Sequence, residues 1–110
     1  MKDIAIFGAG GFGREVACLI RSINESHDKP IWNLVGFFDD VVQKGTSVSH
    51  FGDCLGGMDE LNQWATPLNV CIAIGKGSIV EKIVGKIIKL TATCLAVAFG
   101  VSVAKPKDRY

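Results

Sequence analysis

Ile4-Ala5-Ile6-Phe7-Gly8-Ala9-Gly10-Gly11-Phe12-Gly13-Arg14-Glu15-Val16 is the stretch whose reading decides the fold: a short apolar run, then glycines at 8, 10 and 13, then a helix-like pattern without a break. Each glycine suits a strand–loop–helix phosphate site. Gly8 allows a tight turn, Gly10 admits a pyrophosphate close to the backbone, and Gly13 lets the helix pack closely on the strand. Free N–H groups at the helix start then face the anion, helped by the helix dipole. A purely structural tight turn is the plain alternative. The position of the triad, between a strand and an amphipathic helix, favours a phosphate or nucleotide.

Residues 4–7 are continuously apolar, as in a strand buried on both faces. Apolar residues at 12, 16, 19, 20 and 23 predict one face of a helix over about 12–24, ended by the polar run that reaches Pro30. Leu34-Val35-Gly36-Phe37-Phe38 predicts a second buried strand, closed by Asp39-Asp40. Acids at that end of a strand lie where dinucleotide folds accept a ribose hydroxyl, and one strand–helix–strand unit fits the gap from Gly13 to Asp39. A solvated turn is the other reading of the pair. Residues 41–57 lack periodicity and read as a long excursion, with one short edge strand near 48–51. Asp59 is expected to cap a short helix running to about Trp64.

Asn69-Val70-Cys71-Ile72-Ala73-Ile74 predicts a third buried strand, followed by Gly75-Lys76-Gly77. Ser78 and Glu81 have capping-box spacing ahead of a helix to about Ile88. Strand 1 is expected to pair with strand 2 through a right-handed crossover, and strand 3 to return on the other side of strand 1. The fold class is therefore α/β, a small Rossmann-like three-layer domain with a mostly parallel sheet of 3–5 strands. Its crevice opens at the carboxyl ends of strands 1 and 3, where both glycine junctions meet. The candidate binding set is Gly8, Ala9, Gly10, Gly11, Phe12, Gly13, Asp39, Asp40, Ile74, Gly75 and Lys76; Lys76 reads either as a phosphate contact or as a solvated surface lysine. Residues 1–90 form this domain. Residues 91–110 are atypical: 95–99 read as a fourth strand and 105–110 as a frayed tail.

Composition narrows the function classes. Hydrophobic residues make up 48% and charged residues 21% of 110, and the net charge is +1 with no basic block. This fits a globular domain and speaks against nucleic-acid binding. The N-terminus does not read as a signal peptide, and residues 94–103 are too short for a membrane helix, so no membrane partner is expected. Cys18, Cys54, Cys71 and Cys94 form no C-x-x-C, which argues against a disulfide framework or metal site and for a cytoplasmic setting. Cys18 and Cys71 are expected on buried faces, and Cys54 in a loop. His27 and His50 read as loop histidines, and Trp32 and Trp64 as closing the ends of the core. No catalytic residue and no metal ligand stand out.

These residues also carry a family resemblance. Residues 4–16, Gly36-Phe37-Phe38-Asp39-Asp40, Leu55-Gly56-Gly57-Met58-Asp59-Glu60-Leu61 and Ala73-Ile74-Gly75, in that order, resemble the bacterial sugar acyltransferases that include sialic-acid O-acetyltransferases and UDP-4-amino-sugar N-acetyltransferases. The likeness covers residues 3–88. It implies that this N-terminal domain binds a nucleotide-sugar, through UDP. Gly8–Gly13 would take the phosphates, Asp39 or Asp40 the nucleoside, and Gly75 the crevice wall. It also implies that a C-terminal left-handed β-helix of hexapeptide repeats binds acetyl-CoA, forms a trimer and carries the catalytic histidine. Two features depart from the pattern: Phe12 stands where many relatives carry histidine, and no hexapeptide repeats follow Ile88.

The leading expectation is thus a UDP-sugar-binding domain of an acetyltransferase type, which as it stands binds and does not catalyse. No cofactor is expected in this chain; acetyl-CoA belongs to the complete family enzyme. An NAD(H)-binding regulatory module and a non-binding structural remnant are the alternatives. A homo-oligomer, formed through an exposed sheet edge, is a further expectation.

Overall fold

A computed structural model describes residues 1–74, 82, 93–98 and 101–106. Its main sheet has five strands in the order β2-β1-β5-β6-β7. These are β1 (Lys2–Phe7), β2 (Trp32–Phe38), β5 (Asn69–Ala73), β6 (Thr93–Ala98) and β7 (Val101–Pro106). β1 pairs in parallel with β2 on one side and with β5 on the other, and β6 continues the parallel set beside β5. The chain therefore leaves β1, crosses over through helix α1 (Gly11–Glu25) to β2, and later returns to the opposite flank of β1. The expected reversal lies between β1 and β5.

The middle and carboxyl-end residues of β1, β2 and β5 are apolar because both faces are covered there. Ile4, Ile6, Phe37, Cys71 and Ala73 join Val16, Ala17 and Ile20 of α1 in one cluster. Ala5, Phe7, Phe38, Val70 and Ile72 join Leu61 and Leu68 in the other. Neighbouring residues Phe37 and Phe38 are both fully buried, one in each core. This is the three-layer α/β arrangement expected from the sequence. The buried stripe of α1 is centred on Gly13, Val16, Ala17 and Ile20, while Leu19 is 57% exposed. The small residues Gly13 and Ala17 turn toward the sheet and let the helix come close, which rotates Leu19 off the face.

Asn24 anchors the far end of α1. Its side chain accepts from Ile31 and Trp32 N–H and donates to the Trp32 carbonyl, all within 3.0 Å, and so closes the polar loop onto the start of β2. Trp32 and Trp64 each pack partly against a core cluster. Trp64 meets Phe38 edge-on at 5.7 Å between ring centres.

Four expectations need correction. The excursion after Asp40 holds a two-stranded antiparallel ribbon, β3 (Ser47–Val48) and β4 (Gly52–Asp53), where a single strand at 48–51 was expected. Its turn is shaped by Ser49 at φ 54°, so residues 49–51 make the bend itself. The ribbon is held to α1 by Arg21, which donates to His50 Nε2 at 2.8 Å and lies over the Phe51 ring. Helix α2 spans Met58–Asn62 and starts from Gly57, so Asp59 lies inside its first turn and is not the cap. Cys18 is exposed, on the solvent side of α1, whereas Cys54 is buried and bridged to Phe37. Finally, Lys105 and Pro106 belong to β7, antiparallel to β6, where a frayed tail was expected.

The helix expected over 79–88, with its cap at Ser78 and Glu81, lies outside the described residues apart from Lys82, and so do residues 107–110. Among the described residues no helix is long and apolar enough to cross a membrane, and no group of His, Cys, Asp or Glu is placed to hold a metal ion.

Candidate functional site

The glycine loop joins the carboxyl end of β1 to α1 at the β1/β5 reversal. Two of its glycines are fixed by packing alone. Gly8 takes φ +124°, and a Cβ there would stand 2.6 Å from the Ala73 carbonyl oxygen of β5. A Cβ on Gly13 would overlap the Gly8 carbonyl oxygen. Close helix–strand approach thus requires both glycines whether or not a ligand binds. Gly10 is different. It is exposed, extended at φ −87°, and a Cβ there would meet nothing within 4 Å.

The loop's N–H groups divide in the same way. Gly8 donates to the Phe38 carbonyl at 2.8 Å, and Ala9 donates to Asp39 Oδ2 at 2.9 Å. The N–H groups of Gly11, Phe12 and Gly13, in the first turn of α1, have no acceptor among the described residues. No side chain caps this helix start, and its first turn carries no acid. Helix starts leave such donors unsatisfied and carry partial positive charge, so the arrangement is receptive to an anion. Phe12 packs its ring partly into the α1-side cluster, so its backbone N–H is the group it turns to the site.

Asp39 and Asp40 both work on backbone. Asp39, half-buried, accepts from Ala9 through one oxygen and from Val41 and Val42 through the other, at 2.8 and 3.1 Å. Burial pushes its carboxyl up, but the three donors together outweigh burial and hold the group below its ordinary value. Asp40, exposed, accepts the Met58 N–H at 2.8 Å, and Glu60 reaches back to accept Gly57 N–H at 2.7 Å. The Gly57 N–H, together with the nearby Lys44 charge, holds Glu60 low as well. The start of α2 therefore has the protein's own carboxylates on its Gly57 and Met58 N–H groups, whereas the start of α1 has none.

Beside the acids lies a pocket of about 330 Å³, lined by residues 39–44, Gly56, Gly57 and Glu60. A roomier hollow of about 450 Å³ involves Met1, Lys2, Asp3 and residues 67–69. That hollow, which holds Lys2, Asp3 and Asn69, sits at the amino ends of β1 and β5, away from the glycine loop and its open helix start. The chemistry favours the smaller one.

The structure thus joins Gly8–Gly13 to Asp39 through the Ala9 bond, and Ile74 to the loop through its Cδ1, 3.3 Å from the Cβ position of Gly8. Asp40 lines the adjoining pocket. Gly75 and Lys76 lie outside the described residues. Sequence reasoning missed Lys44, Gly57 and Glu60 as pocket residues. The Gly57-Met58-Asp59-Glu60 spacing, with an acid three residues after a helix-starting glycine, was the available signal.

Comparison with known families gives a match. Residues 3–87 match the family model described as the PglD N-terminal domain. The chain belongs to that family. It is an acetyltransferase-related domain, as the resemblance to sugar acyltransferases implies, and the matched span takes in the glycine loop, both aspartates and β5. No curated protein and no solved structure gives a significant match.

Proposed function

We propose that this PglD N-terminal domain binds a nucleotide-sugar, UDP-linked, across the carboxyl edge of its sheet. The diphosphate lies on the open N–H groups of Gly11, Phe12 and Gly13, and the nucleoside turns toward Asp39, Asp40 and the pocket beside them. The observation that carries the reading is the unsatisfied start of α1 at the β1/β5 reversal, in a chain of this family. Ligands of open parallel sheets settle at such reversals. Gly75 and Lys76, which follow Ile74 in sequence, are included in the proposed binding set. The role assigned is binding. Acetyl transfer from acetyl-CoA is the chemistry of the complete family enzymes, and no residue here is given a catalytic part. The unpaired thiols of Cys18, Cys54 and Cys71 suit the cytoplasm, where nucleotide-activated sugars are made.

Calorimetric titration with UDP, UDP-N-acetylglucosamine, CMP and NADH tests the reading. UDP and the UDP-sugar are expected to bind, and Gly10→Val is expected to abolish binding by filling the phosphate's approach. Because the Gly10 Cβ direction is open, that variant keeps the fold, so the loss reports the ligand. Preferential binding of NADH, or UDP binding indifferent to Gly10→Val, would contradict the proposal.

A further inference from the structure

We propose that Arg14 clasps the phosphates in this site, its guanidinium folding back over the first turn of α1 to meet the anion held by Gly11, Phe12 and Gly13. The inference rests on the nucleotide-sugar reading above and adds the residue that supplies its counter-charge. Arg14 Nη2 lies 3.8 Å from the position a Cβ on Gly11 would take. Helical side chains lean toward the N-terminus, so a long cation three residues after Gly11 covers that turn by geometry alone. The side chain is exposed, and among the described residues it has no carboxylate or hydrogen-bond partner.

Electrostatics asks for such a group. The pocket reached from the loop through Asp39 is lined by Asp39, Asp40 and Glu60, with Lys44 as its cation. Lys44 is already near enough to Glu60 to hold that carboxyl down. A sugar-linked diphosphate is a dianion, and three carboxylates at its side would repel it. Half a charge from the helix dipole does not offset them. A guanidinium at Gly11 adds a full positive charge directly at the phosphates, and its planar fork can take two phosphate oxygens at once. Without ligand the same placement is unfavourable, because it sets a cation at the positive end of a helix whose first turn holds no acid. A bound anion relieves that conflict, which gives the residue a signature that surface charge alone lacks.

The test compares wild type, Arg14→Gln, Arg14→Lys and Arg21→Gln by UDP calorimetry at low and moderate salt, with thermal unfolding of each unliganded protein. Arg14→Gln is expected to weaken UDP by about tenfold or more, the worth of one charge-assisted hydrogen bond. It should also flatten the salt dependence while melting no earlier than wild type. Arg14→Lys should recover part of the affinity. Arg21→Gln, which removes the same charge from the same helix at a residue engaged with His50, should bind like wild type. Wild-type affinity in Arg14→Gln, or equal losses in Arg14→Gln and Arg21→Gln, would overturn the clasp and leave the binding site standing. Wild-type protein that ignores UDP would refute the nucleotide-sugar reading, and the clasp with it.

Discussion

Asp39 holds three backbone N–H groups at once, tying the glycine loop to the segment that follows β2. Its carboxyl is held below the ordinary 3.8 because those donors together outweigh the burial that pushes it up. A folded pKa below the unfolded one means the stabilisation is complete above the unfolded value and is lost as pH falls through the folded value. Urea unfolding should therefore show little Asp39-linked change from neutrality to about pH 5, and a decline below it. Asp39→Asn, which has a single acceptor oxygen and turns an amide NH₂ toward an N–H, should be less stable at neutral pH and flatter on the acid side. Acid limbs of equal slope in the two proteins would contradict the bracing role. The glycines divide just as sharply. Gly13→Ala drives a Cβ into the Gly8 carbonyl and should cost about 3 kcal/mol. Gly10→Ala points into open space and should cost no more than about 1 kcal/mol, the penalty of a poorer N-cap. Chemical denaturation of the pair measures the difference, and equal losses would refute the assignment. The glycine triad and the aspartates were legible as a set from spacing alone. Which of them serve packing was not, because that depends on the β5 carbonyl and the end of β2 arriving at the loop from distant parts of the chain.

At the scale of elements, β1, β2, β5 and α1 were readable because burial on both faces leaves unbroken apolar runs in those strands, and an amphipathic face along a 15-residue helix is hard to mistake. Two of the errors fall on short pieces. The ribbon β3–β4 has two residues per strand, too few for any alternation to register, and it is held by tertiary contacts between Arg21, His50 and Phe51. Helix α2 is five residues long, and its start is fixed by Asp40, which is eighteen residues earlier in the chain. Propensity around Asp59 gave no hint of that remote cap. Leu61 is the residue through which α2 enters the core, with no exposed surface. Leu61→Ala should cost about 3 kcal/mol in thermal or urea unfolding. Because the start of α2 shapes the pocket wall at Gly57, the variant should also weaken UDP while leaving the glycine loop folded. Stability within about 0.5 kcal/mol of wild type would show that α2 is not anchored as described.

For the molecule as a whole, strand order is the decisive feature. Placing β2 and β5 on opposite flanks of β1 opens the sheet's carboxyl edge at the glycine loop, and the Asp39–Ala9 bond brings the end of β2 to the same spot. The sequence already pointed to this reversal, since two apolar strands separated by a helix-length crossover leave few other arrangements. The antiparallel β6–β7 pairing was less legible, because a run such as Val101-Ser102-Val103-Ala104 carries no turn signal of its own beyond the preceding Gly100. Amide chemical-shift mapping of the isotope-labelled protein during a UDP titration tests the central claim most directly. The largest shifts should fall on Gly10, Gly11, Phe12 and Gly13, with a second group at 39–44. Shifts centred on Lys2, Asp3, Leu68 and Asn69 at the opposite end of the sheet, or a spectrum that UDP leaves unchanged, would contradict it.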